Sequence, residues 1–153
     1  MAVNSQDPFD LARFLAAQAR DYGIALTELR AGEKRSHWMW YVFPQLRGLG
    51  HSSTAIAYGI TGLDEARAYL AHPVLGERLR ECVRALLALR TTHAEEVLGH
   101  VDAMKLRSCL TLFDAAAHGD PLFSRALAQY FHGEADARTI ELLQGSARVP
   151  KVE

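Results

Sequence analysis

Apolar residues recur three and four positions apart along most of the chain, which is the spacing of one face of an α-helix. The clearest stripe is Leu75, Leu79, Cys82, Val83 and Leu86. Asp7 and Asp120 each precede a proline, a pairing typical of a helix start, and Gly32 is suited to end the first helix. These patterns predict helices over residues 8–31, 64–71, 75–89, 92–98, 101–117, 122–131 and 136–143.

One segment breaks this pattern. Residues 38–43 are consecutive large apolar side chains with no polar face at either the helical or the strand period, which predicts burial on all sides. Pro44 disfavours helix at the residue before it, and the glycines and serines over residues 48–53 indicate a loop. We therefore expect a short helix or an extended piece at 38–43. Residues 54–60 fit either a short helix or a strand.

The predicted fold class is all-α, a single compact multi-helix domain with an irregular aromatic-rich segment near residues 36–60. The chain holds 24 Ala and 21 Leu against 8 Val and 4 Ile, a bias towards helix formers. Strands and helices do not alternate, which argues against a doubly wound sheet. We place the domain at residues 1–145 and expect 146–153 to be a frayed C-terminal tail.

Composition and charge narrow the class of protein. With 49% hydrophobic and 23% charged residues and a net charge of -1, the chain is neither a disordered polyelectrolyte nor a basic nucleic-acid coat. The charges are balanced along each predicted helix, so we expect no nucleic-acid partner. We expect no secretory signal and no membrane segment, since no apolar stretch approaches the roughly 20 residues that cross a bilayer. Cys82 and Cys109 are too few for a disulfide scaffold, which favours a cytoplasmic location.

Common catalytic and metal-binding motifs are absent from the sequence. It contains no glycine-rich phosphate loop, no Gly-x-Ser-x-Gly, no His-Glu-x-x-His and no Cys-x-x-Cys. His93, Glu96 and His100 have a spacing compatible with metal ligation, but Gly99 should end a helix between them. We therefore predict no metal site and no cofactor.

The first candidate cluster is a polar segment that leads directly into the aromatic run: Lys34, Arg35, Ser36 and His37. The two cations would bind an anion through charge-assisted hydrogen bonds, and Trp38 or Trp40 would wall the pocket. His37 is the best candidate for a general acid or base, because an imidazole titrates near neutrality. The alternatives stay open: the tryptophans belong to the core, the cations form a solvated turn, and His37 is a packed, hydrogen-bonded side chain.

The second candidate cluster lies on the predicted helix over residues 101–117. Lys105 and Ser108 are one helical turn apart, so they would bind an anion together or activate the hydroxyl as a catalytic group. Arg107 and Thr111 complete the set of candidate ligand-binding residues. The alternative is a surface ion pair between Asp102 and Lys105, with small residues that permit close helix packing.

Residues 32–46, from Gly32 to Leu46, resemble the signature of a bacterial and fungal family catalogued as domain of unknown function 1810. Further matching stretches lie at residues 7–11, 66–76, 105–108 and 111–113, so the resemblance covers nearly the whole chain. It implies a mainly α-helical single domain and supplies no activity and no catalytic residues. Some members carry the label calpastatin, a disordered protease inhibitor, which does not suit a chain that is 49% hydrophobic. Relatives more often have a small hydroxyl residue where this chain has Cys109.

Two functional hypotheses follow from these patterns. In the first, the two clusters meet in a cleft that binds or processes a small anionic molecule, nucleotide-like or sugar-phosphate-like. In the second, the chain is a non-enzymatic helical module that buries an exposed aromatic face on a second copy of itself or on a protein partner, whose identity the sequence does not indicate. Whether Lys34, His37, Lys105 and Ser108 face one pocket distinguishes the two.

Overall fold

A computed structural model describes residues 6–148 of the chain, with side chains through residue 145. The described residues form nine helices. They are α1 Ala12–Ala31, α2 Met39–Val42, α3 Ser53–Ala57, α4 Leu63–Ala71, α5 Leu75–Ala88, α6 Ala94–Leu98, α7 His100–Ala116, α8 Leu122–Phe131 and α9 Ala137–Arg148. The predicted all-α fold class is confirmed.

The first helix begins later than the sequence pattern predicts. It begins at Ala12 rather than at residue 8, because Asp10 adopts a left-handed backbone conformation (φ 53°) that interrupts helical geometry. Asp7 still caps the helix: its carboxylate accepts the backbone N–H groups of Leu11 at 2.7 Å and of Ala12 at 3.0 Å. Gly32 ends α1 in a left-handed conformation, as predicted.

The aromatic segment forms α2, a single helical turn. Trp38 and Phe43, which flank it, are buried. Trp40 and Tyr41 are only half-buried, so the prediction of burial on all sides is wrong for these two side chains. A one-turn helix lying on a larger body turns one side towards solvent, and these residues occupy that side.

Of the two structures that the sequence allowed for residues 54–60, the short helix is found and the strand is not. The first part of this stretch is helical (α3), and Ile60 then forms an isolated parallel bridge with Leu46. In this bridge the N–H of Arg47 donates to the Ile60 carbonyl at 2.7 Å, and the Ile60 N–H donates to the Gln45 carbonyl at 2.8 Å. The bridge closes the loop that carries α3.

The core is built around α7, which packs against α4, α6, α8 and α9. Leu106, Leu110 and Phe113 of α7 are fully buried, and burial of this apolar surface stabilises the fold. The predicted stripe of α5 is buried as well, against α1, α4 and α8. The first turn of α7 reaches the surface beside α6, where the backbone N–H of Lys34 donates to the carbonyl of Val97 at 2.7 Å. This contact holds the basic segment against α6, and the Lys34 side chain then reaches Asp102 in the first turn of α7.

The C-terminal helix is longer than predicted. α9 continues to Arg148, five residues beyond its predicted end at 143 and into the first residues of the expected tail, and residues 149–153 lie outside the described part of the chain. No helix within residues 6–148 combines the length and the apolar character needed to cross a membrane.

Candidate functional site

A cleft of about 290 Å³ opens where the segment before α2 meets the first turns of α7. Its charged and aromatic lining includes Lys34, His37, Trp38, Trp40, Asp102 and Lys105, and we call it the α2–α7 cleft. The structure thus brings two stretches that are distant in sequence to one concave surface.

Glu28, in the last turn of α1, fixes the position of residues 35–38, which form the edge of this cleft and are called its lip below. Its carboxylate accepts the backbone N–H groups of Arg35 at 2.9 Å and of Ser36 at 3.0 Å. It also accepts the Ser36 hydroxyl at 2.6 Å and the indole N–H of Trp38 at 2.9 Å. Burial alone would raise the pKa of Glu28, but these donated hydrogen bonds outweigh it and lower the pKa to about 2. The Ser36 hydroxyl and the Trp38 ring are therefore oriented by a single carboxylate.

Replacing Glu28 by glutamine should lower the free energy of unfolding at neutral pH by about 1–2 kcal/mol, because one neutral oxygen replaces a partly solvent-screened carboxylate that serves several donors. The folded-state pKa near 2 lies below the ordinary value of 4.5, so ionised Glu28 stabilises the fold above pH 4.5. This stabilisation is lost as the pH falls from 4.5 towards 2, and wild type and Glu28→Gln should converge there. Urea unfolding across this pH range measures the effect.

The matched control for this prediction is Glu33→Gln, which removes an exposed carboxylate from the same loop. It should change stability little at any pH, because exposed ion pairs contribute little. A difference between Glu28→Gln and wild type that stays constant as the pH falls would contradict the role given to Glu28.

Asp102 joins the two lysines of the cleft. The Lys34 ammonium lies 2.9 Å from Oδ2 of Asp102, and the Lys105 ammonium lies 3.2 Å from Oδ1. Burial alone would raise the pKa of Asp102, but the hydrogen bonds and charges of the two lysines outweigh it and lower the pKa. Asp102 is therefore ionised at neutral pH, with one ammonium group on each carboxylate oxygen.

Each lysine also lies over an indole ring. The Lys34 ammonium is 5.0 Å from the centroid of the Trp38 ring, and that of Lys105 is 4.3 Å from the centroid of Trp40. Such contacts attract a cation to the electron-rich face of the ring. Because Trp38 is buried and Trp40 is half-buried, Trp40 is the indole that a ligand in the cleft reaches.

His37 and Tyr41 also line the cleft. The side chain of His37 is exposed, and the hydroxyl of Tyr41 donates to Asp21 and lies 3.1 Å from the His37 carbonyl. Burial and the Asp21 carboxylate raise the pKa of Tyr41 to about 12, so this phenol is neutral at physiological pH.

Ser108 and Thr111, two of the sequence candidates, do not line the cleft. The Ser108 hydroxyl donates to the Met104 carbonyl at 3.2 Å, within its own helix. The Thr111 hydroxyl donates to the Arg107 carbonyl at 2.8 Å and accepts the backbone N–H of Asp136 at 2.8 Å. The Ser108 hydroxyl therefore bonds within α7, and the Thr111 hydroxyl connects α7 to the residue before α9. Lys105 pairs with Asp102 rather than with Ser108.

Two arginine candidates lie outside the cleft as well. Arg35 is exposed and pairs with Glu33 at 2.9 Å. Arg107 turns the other way along α7 and donates from Nε to the Glu134 carbonyl at 2.9 Å. Of the predicted ligand-binding cations, Lys34 and Lys105 are the two that line the α2–α7 cleft.

Sequence reasoning missed Glu28 and assigned Asp102 only to a surface pair with Lys105. A signal for Glu28 was present, because a carboxylate in the last turn of a helix opposes the helix dipole and so needs another stabilising partner. For the Lys34–Asp102 pair no local signal exists, since the partners lie on different elements.

A second cleft, of about 340 Å³, lies beside Arg13 at the start of α1. All the guanidinium donors of Arg13 are used within the protein, by the carbonyls of Phe9, Asp10, Ala57 and Gly59 and by the carboxylate of Glu65. Arg13 therefore has no donor left for a ligand, and this network fastens the N-terminal segment to the loop after α3.

The two cysteines and the histidines at residues 93 and 100, whose spacing is compatible with metal ligation, lie outside the α2–α7 cleft. Cys82 and Cys109 are free and buried, and burial raises the pKa of both thiols, which keeps them in the unreactive protonated form. Within the described part of the chain, no group of three or more His, Cys, Asp or Glu side chains is placed to hold a metal ion. His100 instead lies 3.7 Å from Glu95 on the surface.

Fold and cleft together define an all-helical protein with a cleft lined by two lysines and an accessible indole. The chain belongs to the family described as "Protein of unknown function (DUF1810)", whose model matches residues 8–143. No curated protein matches the chain.

A solved structure similar to this chain is the conserved hypothetical protein Rv1873 from Mycobacterium tuberculosis. The two are 51% identical, and the match covers 90% of this chain and 99% of that one with a TM-score of 0.88. The description of that structure names no ligand and no activity. The comparisons thus establish the family and the fold.

Proposed function

We propose that this protein binds a small anionic ligand, nucleotide-like or sugar-phosphate-like, in the α2–α7 cleft. The observation that carries the proposal is that the Lys34 and Lys105 ammonium groups, which meet at Asp102, line one cleft together with a half-buried indole. Ammonium groups bind oxyanions through charge-assisted hydrogen bonds, and aromatic walls take the apolar part of a ligand.

Each lining residue has a distinct part in this proposal. Lys105, whose side chain is 22% exposed, offers its ammonium group to the anion, and Lys34, 9% exposed, contributes a second positive charge. Trp40 supplies the surface for a ring or sugar. His37, at the mouth, is the group that carries a proton if a reaction follows binding.

The proposal concerns binding, and it does not require a catalytic step. Among the described residues that line the cleft with His37, hydroxyl groups come from Thr54 and Tyr41, and no thiol is present. The Tyr41 hydroxyl already donates to Asp21 and is neutral at physiological pH, so it is a poor nucleophile. We therefore place ligand binding ahead of catalysis.

The interaction hypothesis receives less support. It requires an exposed aromatic face, whereas Trp38 is buried and Trp40 and Tyr41 are half-buried against the body of the protein. An aromatic patch of this limited exposure is small for a protein-binding surface.

A thermal-shift screen with adenosine 3′,5′-cyclic phosphate, AMP, ADP-ribose and glucose 6-phosphate tests the proposal. A ligand at ten times its Kd should raise the melting temperature by about 3–6 °C, because binding to the folded state alone stabilises it. Lys105→Met should abolish this shift. Arg35→Gln, which removes an exposed cation outside the cleft, should retain it.

Two results would contradict the proposal. The first is the absence of any shift at millimolar concentrations of these and related anions. The second is equal loss of the shift in Arg35→Gln and Lys105→Met, which would indicate general charge attraction rather than a site.

A further inference from the structure

The α2–α7 cleft is lined by charges of both signs. Lys34 and Lys105 contribute two positive charges, and ionised Asp102 contributes one negative charge. Tyr41 is neutral, and His37 is the remaining titratable side chain of the lining. When His37 is neutral, the charged side chains that line the cleft directly therefore sum to about +1. The Glu28 and Asp21 carboxylates, which are bonded to the lining residues Trp38 and Tyr41, add negative charge nearby, so the site favours a ligand with a single negative charge.

Asp102 competes with any ligand for the ammonium groups. Both of its oxygens are engaged, one by each lysine, and its side chain is only 18% exposed. It also lies in the first turn of α7, a helix of 17 residues, where the helix dipole favours a carboxylate. The negative charge of Asp102 thus stays in the cleft when a ligand enters.

The size of the cleft restricts the ligand as well. Its volume of about 290 Å³ lies at the lower end of the range for small-molecule sites. Such a space suits one oxyanion and one ring or sugar, and a dinucleotide would extend far outside it.

We infer that the cleft selects a singly charged oxyanion on a body no larger than a nucleoside, and that Asp102 is the residue that discriminates against dianions. The inference rests on the proposed function and names the ligand class for the same site. A dianion would bring a second negative charge close to the Asp102 carboxylate, where the two repel each other in a partly buried setting.

Three probes with the same nucleoside test the inference by calorimetry at pH 8 and low salt. Adenosine 3′,5′-cyclic phosphate and adenosine 5′-carboxylate each carry one negative charge, whereas AMP is a dianion at this pH, because its second phosphate pKa is about 6. In the wild type, at least one monoanion should bind about tenfold more tightly than AMP. The two monoanions distinguish a phosphodiester from a carboxylate ligand.

The decisive variant is Asp102→Asn, which keeps the shape of the side chain and removes its charge. It should strengthen AMP binding by about tenfold or more and remove or reverse the preference for the monoanions. Asp114→Asn removes a carboxylate from an exposed position further along α7 and should leave the preference unchanged. Should Asp102→Asn fail to fold, as judged by circular dichroism, the selectivity of the wild type decides the question alone.

The outcomes separate the inference from the proposed function. If the wild type binds AMP as tightly as the monoanions, or if Asp102→Asn keeps the selectivity of the wild type, the inference is wrong and anion binding stands. If none of the probes binds to the wild type or to Asp102→Asn, the proposed function is overturned together with the inference.

Discussion

Replacing Arg13 by methionine should lower the free energy of unfolding by about 3–5 kcal/mol, the cost of breaking a buried ion pair by removing one partner. Glu65, whose side chain is 1% exposed, lies 2.7 Å from Arg13 and would lose its cation. It would keep only the hydrogen bonds from the N–H and hydroxyl of Thr61, both at 2.9 Å.

The effect of Arg13→Met extends beyond the ion pair. The same guanidinium donates to the carbonyls of Phe9 and Asp10 before α1 and to those of Ala57 and Gly59 at and just after the end of α3. Without it, these carbonyls lose donors that hold two loops together. We therefore expect the N-terminal segment to become more accessible to hydrogen exchange as well.

Equilibrium urea unfolding measures the change in stability. Arg20→Met is the matched control, because Arg20 lies on the same helix, is 88% exposed and pairs only with a neighbouring carboxylate. It should change the free energy of unfolding by about 0.5 kcal/mol or less. The double variant Arg13→Met/Glu65→Met should be less destabilised than Arg13→Met alone, since no buried charge is left behind. Equal stability of Arg13→Met and Arg20→Met would refute the assigned role.

The second large effect is expected from Gly76→Ala. A Cβ atom added at Gly76 would lie 2.1 Å from the carbonyl oxygen of Leu70 and 2.8 Å from its carbon. These are backbone atoms at the end of α4, so they cannot yield by a change of rotamer, and the start of α5 must move instead. We expect a loss of about 3 kcal/mol, the upper part of the range for overpacked sites.

The control for this prediction is Gly23→Ala. Gly23 lies within α1, and a Cβ added there meets no atom within 4 Å. It should stabilise the protein by about 0.5–1 kcal/mol, because alanine is the better helix former and restricts the unfolded chain. Thermal and urea unfolding of the two variants should therefore change in opposite directions. A Gly76→Ala variant as stable as the wild type would show that α4 and α5 are not in the close contact described.

The helices with regular apolar spacing could be predicted from the sequence because their signal is local. The predicted helix over 122–131 is α8 residue for residue, and the predictions at 64–71 and 75–89 agree with α4 and α5 to within one residue at either end. The start of α1 could not be predicted, because the carbonyl of the left-handed residue Asp10 accepts a hydrogen bond from Arg13. The Arg13 side chain is in turn positioned by residues far along the chain, namely Ala57, Gly59 and Glu65. The same holds for the half-exposed side of α2, which depends on what packs against it.

The candidate site, like the fold, could be predicted from the sequence only in part. The unusual composition of residues 34–40 is enough to mark Lys34, His37 and the tryptophans as candidates, because cations and an imidazole directly precede an aromatic run. Ser108 and Thr111 are candidates only through their positions on a helix, and position does not reveal whether a hydroxyl bonds to its own backbone. Their place outside the cleft therefore could not be predicted from spacing.

By itself, the sequence determined that this protein is helical, which residues form most of its core stripes, and which segment departs from ordinary helix design. Periodicity reports these properties because each depends on neighbours within a few residues. Only the tertiary structure decided that Glu28 holds the lip and that Asp102 joins Lys34 to Lys105. Ion pairing acts over a few ångströms in space, whatever the separation along the chain, so the net charge of the cleft is a property of the folded molecule alone.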